Sequence, residues 1–237
     1  MQYKKIVAFG DSFTRGDELA DCPPQDSKDG FAHSKHTWPA LLADKLGAEY
    51  VCRANGGRGN SWISNLVNRC VTRNKQDLFI VNWTYFGRFD FLDQEDCWST
   101  MCPGSANTEL GSQYYRNFDN DVWNLLRNLQ IIYSTLSLLM HYKIDYIFTC
   151  HDETFKKSFN DLRSYRSATQ EHWQDSILAL SRLVIPSITE FENQTFKAWA
   201  VKNNFGIGAG GHPLEKAHLE AANYINMVVT EGRANGH

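Results

Sequence analysis

Short apolar runs alternate along this chain with segments of helical periodicity. Tyr3–Phe9, Glu49–Arg53, Leu78–Trp83 and Ile144–Cys150 are near-continuously apolar at their centres, as strands are when both faces of their sheet are covered. Between them, Thr37–Leu46 sets Trp38, Leu41, Leu42 and Leu46 at helical spacing with Gly47 just beyond, and Ser61–Val71 gathers Ile63, Leu66, Val67 and Cys70 on one face. Tyr114–Met140 is a longer helical pattern. Pro213 stands where it can open a last helix through Ala217, Ala221, Ala222, Ile225 and Val228. The β-α alternation predicts a single domain over residues 1–237, built on a parallel sheet with helices on both faces.

Two polar stretches interrupt this rhythm, Asp17–His36 after the first strand and Asp93–Gln113 after the third. Both are expected as loop insertions at the same sheet edge. Ligands of open α/β sheets bind outside the carboxyl ends of the strands, so these loops are candidate walls of a substrate cleft.

Composition narrows the function classes. The 237 residues carry 24 Lys+Arg against 27 Asp+Glu, a formal charge of −3, without the basic excess that phosphate neutralisation requires, so no nucleic-acid partner is expected. The longest strongly apolar stretch, Ile131–Met140, is about half of a bilayer span and is interrupted by Ser134, Thr135 and Ser137, so no membrane partner is expected either. The opening MQYKKIVAFG leads directly into Gly10-Asp11-Ser12 and reads as a first strand, not a signal peptide. Six cysteines are too dilute for a disulfide scaffold, and Cys52 and Cys150 fall in strands. Reduced thiols and a cytoplasmic location are the expectation, although Cys97 and Cys102 are close enough for a local disulfide. Cys22, Asp26, Asp29, His33 and His36 share one loop without zinc-like spacing, and neither metal nor other cofactor is expected. Aromatic residues make up 13% of the chain, and many of them fall between Trp83 and Trp123.

The candidate chemistry lies at strand ends. Gly10-Asp11-Ser12 follows the first strand: glycine permits a tight turn, the acid can pin it, and a hydroxyl is presented at the sheet edge. His212, in Gly210-Gly211-His212-Pro213, precedes the last helix, where a helix N-terminus disfavours imidazolium and leaves the ring able to accept a proton. His218, within the helix, is expected to pack or cap. Asn55–Ser61 is a glycine-rich turn after the second strand, whose N–H groups can point at an anion, but it matches neither a P-loop nor a full dinucleotide fingerprint. Ser61 is a competing nucleophile, although neither serine completes a G-x-S-x-G elbow.

Gly10-Asp11-Ser12, the run Thr37–Gly47, the Asn55–Ser61 turn and His212-Pro213 with His218 resemble the SGNH (GDSL-type) hydrolases in the family's own order. The resemblance spans most of the chain, with the middle third least familiar. It implies a flavodoxin-like three-layer α/β/α sandwich that hydrolyses esters, often acetyl esters of carbohydrates, without a cofactor. It also implies Ser12 as nucleophile, His212 as base, and the Ser12 and Gly59 N–H groups as oxyanion donors.

Two departures stand out. The family usually carries Asp two or three residues before the catalytic histidine, where this chain has Gly210 and Ala209. The family's block-three Asn is also missing: the chain reads Val81-Asn82-Trp83-Thr84-Tyr85-Phe86-Gly87-Arg88, with Asn82 too early. Thr84 or Arg88 is placed to supply the lost oxyanion donor, while Arg88 can equally pair with Asp90 or Asp93. Asp11, Asn60, Tyr85 and Trp98 are assigned to substrate contact, the last two as part of an aromatic wall suited to a small-molecule or glycan ester. A weakened glycan-binding module and an acyltransferase with the same Ser12–His212 dyad remain alternatives.

Overall fold

The computed structural model describes residues 3–23, 32–71, 77–103, 108–151, 153 and 173–231. Its strands are β1 (Lys5–Gly10), β2 (Glu49–Ala54), β3 (Asp77–Trp83), β4 (Phe89–Leu92), β5 (Trp98–Met101) and β6 (Asp145–Cys150). Four of them form a sheet in the order β2-β1-β3-β6, and every neighbouring pair is parallel. Beside β6, the fifth position of a flavodoxin-like sheet is a single parallel bridge between Phe148 and Ile188, carried by Thr189 N–H donating to the Phe148 carbonyl at 2.7 Å.

Alternate residues of the sheet feed two cores, the consequence of a two-residue side-chain period on a doubly covered sheet. Ile6, Ala8, Leu78, Ile80 and Ile147 pack with α2 (Trp38–Leu46), α7 (Phe196–Lys202) and α8 (Glu215–Thr230). Val7, Phe9, Phe79, Val81, Trp83 and Phe148 pack on the other face with α3 (Asn60–Cys70), α5 (Asp121–Tyr142) and α6 (Trp173–Val184). The α/β/α sandwich is therefore as expected. No helix among the described residues is long and apolar enough to cross a membrane.

Three local expectations change. Tyr114–Met140 is not one helix: α4 (Glu109–Asn117) ends before Phe118, and α5 starts afresh where the Asn120 side chain accepts the N–H groups of Val122 and Trp123 at 2.9 and 3.2 Å. A side-chain acceptor at that position satisfies donors that helix starts leave open, so a new start competes with continuation. The Asp93–Gln113 insertion is not a plain loop, because β4 and β5 pair antiparallel around Asp93–Cys97; residues 104–107 lie outside the described ones. Pro213 does not open the last helix. It bridges Ile207, and α8 begins at Glu215 behind Leu214.

The parallel register brings the ends of β1, β2, β3 and β6 to one edge, with Gly10 opposite Ala54 and Trp83 opposite Cys150. Asp11–Ser12, Asn55–Asn60, Thr84–Arg88 and His151 therefore converge there. Of the Asp17–His36 insertion, residues 24–31, including Asp26 and Asp29, lie outside the described residues.

Candidate active site

Strand β1 ends at Gly10, where a Cβ would fall 2.1 Å from Thr14 Oγ1; glycine is what lets the chain turn so tightly. Asp11 then caps α1 (Ser12–Arg15), a single helical turn closed by Gly16 at φ +88°. Ser12 is the first residue of that turn, so its N–H has no acceptor within the helix. Its hydroxyl oxygen lies 2.9 Å from His212 Nε2, and the His212 ring leans on Phe13 with centroids 4.9 Å apart.

The His212 loop is folded on itself. Gly208 N–H donates to the His212 carbonyl at 2.8 Å, Gly211 N–H to the Gly208 carbonyl at 3.0 Å, and Gly211 adopts φ +87°. The loop closes around the carboxylate of Glu18. Glu18 Oε1 accepts the Gly210 N–H at 2.6 Å; Oε2 accepts the His212 N–H at 3.2 Å and lies 2.7 Å from His212 Nδ1. The Gly210 N–H, then the His212 ring, hold the Glu18 carboxyl below the usual carboxylate range. At Gly208 a Cβ would meet that carboxyl group at 2.6 Å. An acid missing from positions 209 and 210 thus arrives from 194 residues away. His218 is buried and accepts the Trp38 N–H on Nδ1 at 3.0 Å, a cap for α2; burial pushes its pKa down to about 3, so it stays neutral.

Beneath Ser12 lies a buried polar platform. Asp11 Oδ1 accepts the Phe13 N–H at 3.1 Å, while Oδ2 accepts Thr84 Oγ1 at 2.7 Å and Arg88 Nη1 at 2.6 Å and sits 3.3 Å from His151 Nε2. Burial would raise the Asp11 pKa, but His151, Arg88 and Thr84 together hold it well below the carboxylate range. The His151 ring stacks on Phe13 with centroids 4.3 Å apart.

This platform corrects several expectations. Asp11 and Asn60 are buried and already partnered, so neither is available to substrate. Asn60 accepts the Thr84 N–H at 2.8 Å and donates to the Thr84 carbonyl at 3.1 Å and to Asn128 Oδ1 at 2.7 Å. Thr84 has spent both its N–H and its hydroxyl proton, on Asn60 and Asp11, and is no oxyanion donor. Gly59 donates its N–H to Asp90 Oδ1 at 2.9 Å, and a Cβ there would strike the Asp90 carboxylate at 2.6 Å. That glycine makes room for an acidic cap, since Asp90 Oδ2 also accepts the Trp62 N–H at 3.0 Å; its N–H does not face an oxyanion. Arg88 pairs with Asp11 rather than with Asp90 or Asp93.

Arg88 keeps capacity in reserve. Nη1 contacts Asp11, the Arg58 carbonyl and Thr84 Oγ1, whereas Nη2 and Nε have no hydrogen-bond partner among the described residues. The side chain borders a cavity of about 400 Å³ shared with Tyr85, Phe86, Cys102 and Asn124. Tyr85 is half-buried there, under the Arg88 guanidinium and edge-on to His151. Trp98 does not line this cavity; it packs half-buried against the core, and its carbonyl accepts Arg58 Nη1 at 2.7 Å.

The structure thus brings together Ser12, His212 and, unforeseen, Glu18 and His151. His151 carries a signal in hindsight, as the first residue past β6 at the same edge. Glu18 carries only that of an acid in the loop after β1.

The sheet order and the helical layers on its two faces give the α/β/α sandwich of the SGNH (GDSL-type) hydrolase fold. No family model and no curated protein matches the sequence. Among solved structures, the chain is similar to the acetyl xylan esterase Est2A of Butyrivibrio proteoclasticus, with TM-score 0.54 and 15% identity over 98% of this chain and 65% of that one. It is similar to the psychrotrophic esterase EstA of Pseudoalteromonas sp., with TM-score 0.53 and 10% identity over 97% and 98% of the two chains. A catalytic mutant of Axe2, an acetylxylan esterase from Geobacillus stearothermophilus, gives TM-score 0.51 and 12% identity over 98% and 97%. At these identities the likeness establishes the fold.

Proposed function

We propose that this protein is a serine esterase in which Ser12 is the nucleophile and His212 the general base. The observation that carries the reading is the 2.9 Å contact between Ser12 Oγ and His212 Nε2, at the sheet edge of a fold shared with esterases. A serine hydroxyl is a poor nucleophile until a positioned base takes its proton. As Oγ attacks the ester carbonyl, its proton passes to His212 Nε2. The tetrahedral oxyanion is stabilised by the Ser12 N–H and by the unspent donors of Arg88, a cation in the role usually filled by a neutral amide. His212 then gives its proton to the departing alkoxide, and the acyl group stays on Ser12. Water, deprotonated by His212, releases the acid and restores the hydroxyl.

The substrate we propose is a short acyl ester, an acetyl ester of a carbohydrate in the first instance. The names of the xylan-deacetylating neighbours support this, as does Tyr85, an aromatic side chain on the wall of the cavity that Arg88 borders. The test is hydrolysis of model esters of increasing acyl length alongside acetylated xylo-oligosaccharides. Turnover is expected to be highest for acetyl and to fall by about 10⁴-fold or more in Ser12→Ala and His212→Ala. Undiminished turnover by Ser12→Ala would overturn the reading.

A further inference from the structure

We propose that Glu18, on the loop that follows the nucleophile, is the positioning acid of the site, holding His212 in the tautomer and orientation that serve Ser12. The proposal rests on the esterase reading and deepens it. A base that accepts a proton on Nε2 must carry its own proton on Nδ1, and a carboxylate facing Nδ1 both fixes that tautomer and stabilises the imidazolium formed in the reaction. Glu18 Oε2 is 2.7 Å from Nδ1.

The chain invests heavily in holding Glu18 there. Glu18 adopts φ +70°, a left-handed conformation that a non-glycine residue keeps only where its surroundings over-determine it. On one side Asp17 is bound by the buried guanidinium of Arg15, which also donates to the Ala32 carbonyl at 3.1 Å and to the Pro23 carbonyl. On the other, Leu19 is buried and the Ala20 N–H donates to Glu215 Oε1 at 2.9 Å, a tie to the first residue of α8. The receiving loop is shaped to match, since Gly208 leaves room for the carboxylate and Gly210 donates to it. Lys197 also approaches this loop, its ammonium 3.1 Å from where a Cβ on Gly211 would lie, and His218, which interacts electrostatically with His212, is held neutral by burial. Ser12 and Glu18 thus stand on one segment and clasp the histidine from both ring nitrogens.

The alternative role for Glu18 is a brace for the 207–213 loop and nothing more. Glu18→Gln separates the two, because the amide oxygen still accepts the Gly210 N–H but cannot stabilise an imidazolium. With a short-chain acetyl ester, kcat is expected to fall by about 10²- to 10⁴-fold, with KM within about threefold. The acid limb of the kcat/KM profile should move to lower pH, since the histidine loses a negative neighbour. Glu18→Asp, the conservative variant, should recover part of the rate. If Glu18→Gln loosens the loop, the same ranking is read from Glu18→Asp against Glu18→Ala at a temperature where both are folded. A Glu18→Gln enzyme with wild-type kcat and an unmoved acid limb, while Ser12→Ala is inactive, would overturn this proposal and leave the esterase reading standing. A Ser12→Ala protein that hydrolyses the ester at the wild-type rate would remove both.

Discussion

Two carboxylates on one short segment, Asp11 and Glu18, meet different fates. Asp11 is wholly buried and surrounded by the Phe13 N–H, Thr84, Arg88 and His151. Glu18, whose side chain is 26% exposed, binds a histidine whose far nitrogen faces a serine hydroxyl. Both are ionised and both bind cationic or potentially cationic partners. What separates scaffold from chemistry here is whether the partner has a valence left over. Around Asp11, Thr84 has none and Arg88 retains only its outer donors, whereas the imidazole held by Glu18 has a free nitrogen aimed at a nucleophile.

The comparison is broken most severely at the buried carboxylate. Asp11→Ala would strand Arg88 without its charge partner and His151 without its carboxylate contact, and the loss of one member of a buried ion pair costs about 3–5 kcal/mol. Urea unfolding is expected to show that loss. Asp11→Ala with unchanged stability would mean that the platform is not the support described. Gly59→Ala sharpens the contrast at the neighbouring strand end. Its Cβ collides with the Asp90 carboxylate, so the expected effect is a stability loss of about 1–3 kcal/mol from overpacking, seen as a lower midpoint in thermal unfolding. An oxyanion role for that N–H would instead lower kcat with stability intact.

His218 sets an effect that depends on pH. In the folded chain its pKa lies near 3, whereas an unfolded histidine titrates near 6.5. Between those values the unfolded chain binds a proton that the folded one refuses, so stability falls as pH drops through this window, by up to about 1.4 kcal/mol per pH unit. His218→Gln, which keeps an acceptor for the Trp38 N–H, is expected to flatten that part of the stability profile measured by denaturant titration between pH 7 and 4.

The sandwich was legible in the sequence from local signals, and the Ser12–His212 pair from motifs that stand in the order of a known family. The strands are continuous apolar runs since both faces are covered, and the two site residues sit beside glycines at strand or loop ends. What escaped depends on residues far apart in the chain. Glu18 reaches His212 across 194 positions, and no spacing rule marks it. Gly59 shows the limit of reading a glycine: a missing Cβ serves an oxyanion or a neighbouring carboxylate equally well, and Asp90, 31 positions on, decides. The break before α5 was hidden because apolar periodicity continues on both sides of Phe118–Asn120, and only the Asn120 cap reveals a new start. The β4–β5 hairpin runs into the polar Asp93–Gln113 stretch, and just before it Phe89 and Phe91 already showed a two-residue period.

The central claim is that Ser12, activated by His212, is the nucleophile of an esterase. Labelling the intact protein with a fluorophosphonate and mapping the modified peptide tests it most directly. The account predicts a single adduct on Ser12 that forms far more slowly in His212→Ala. An adduct on Ser61, or labelling at Ser12 that proceeds equally fast without His212, would contradict it.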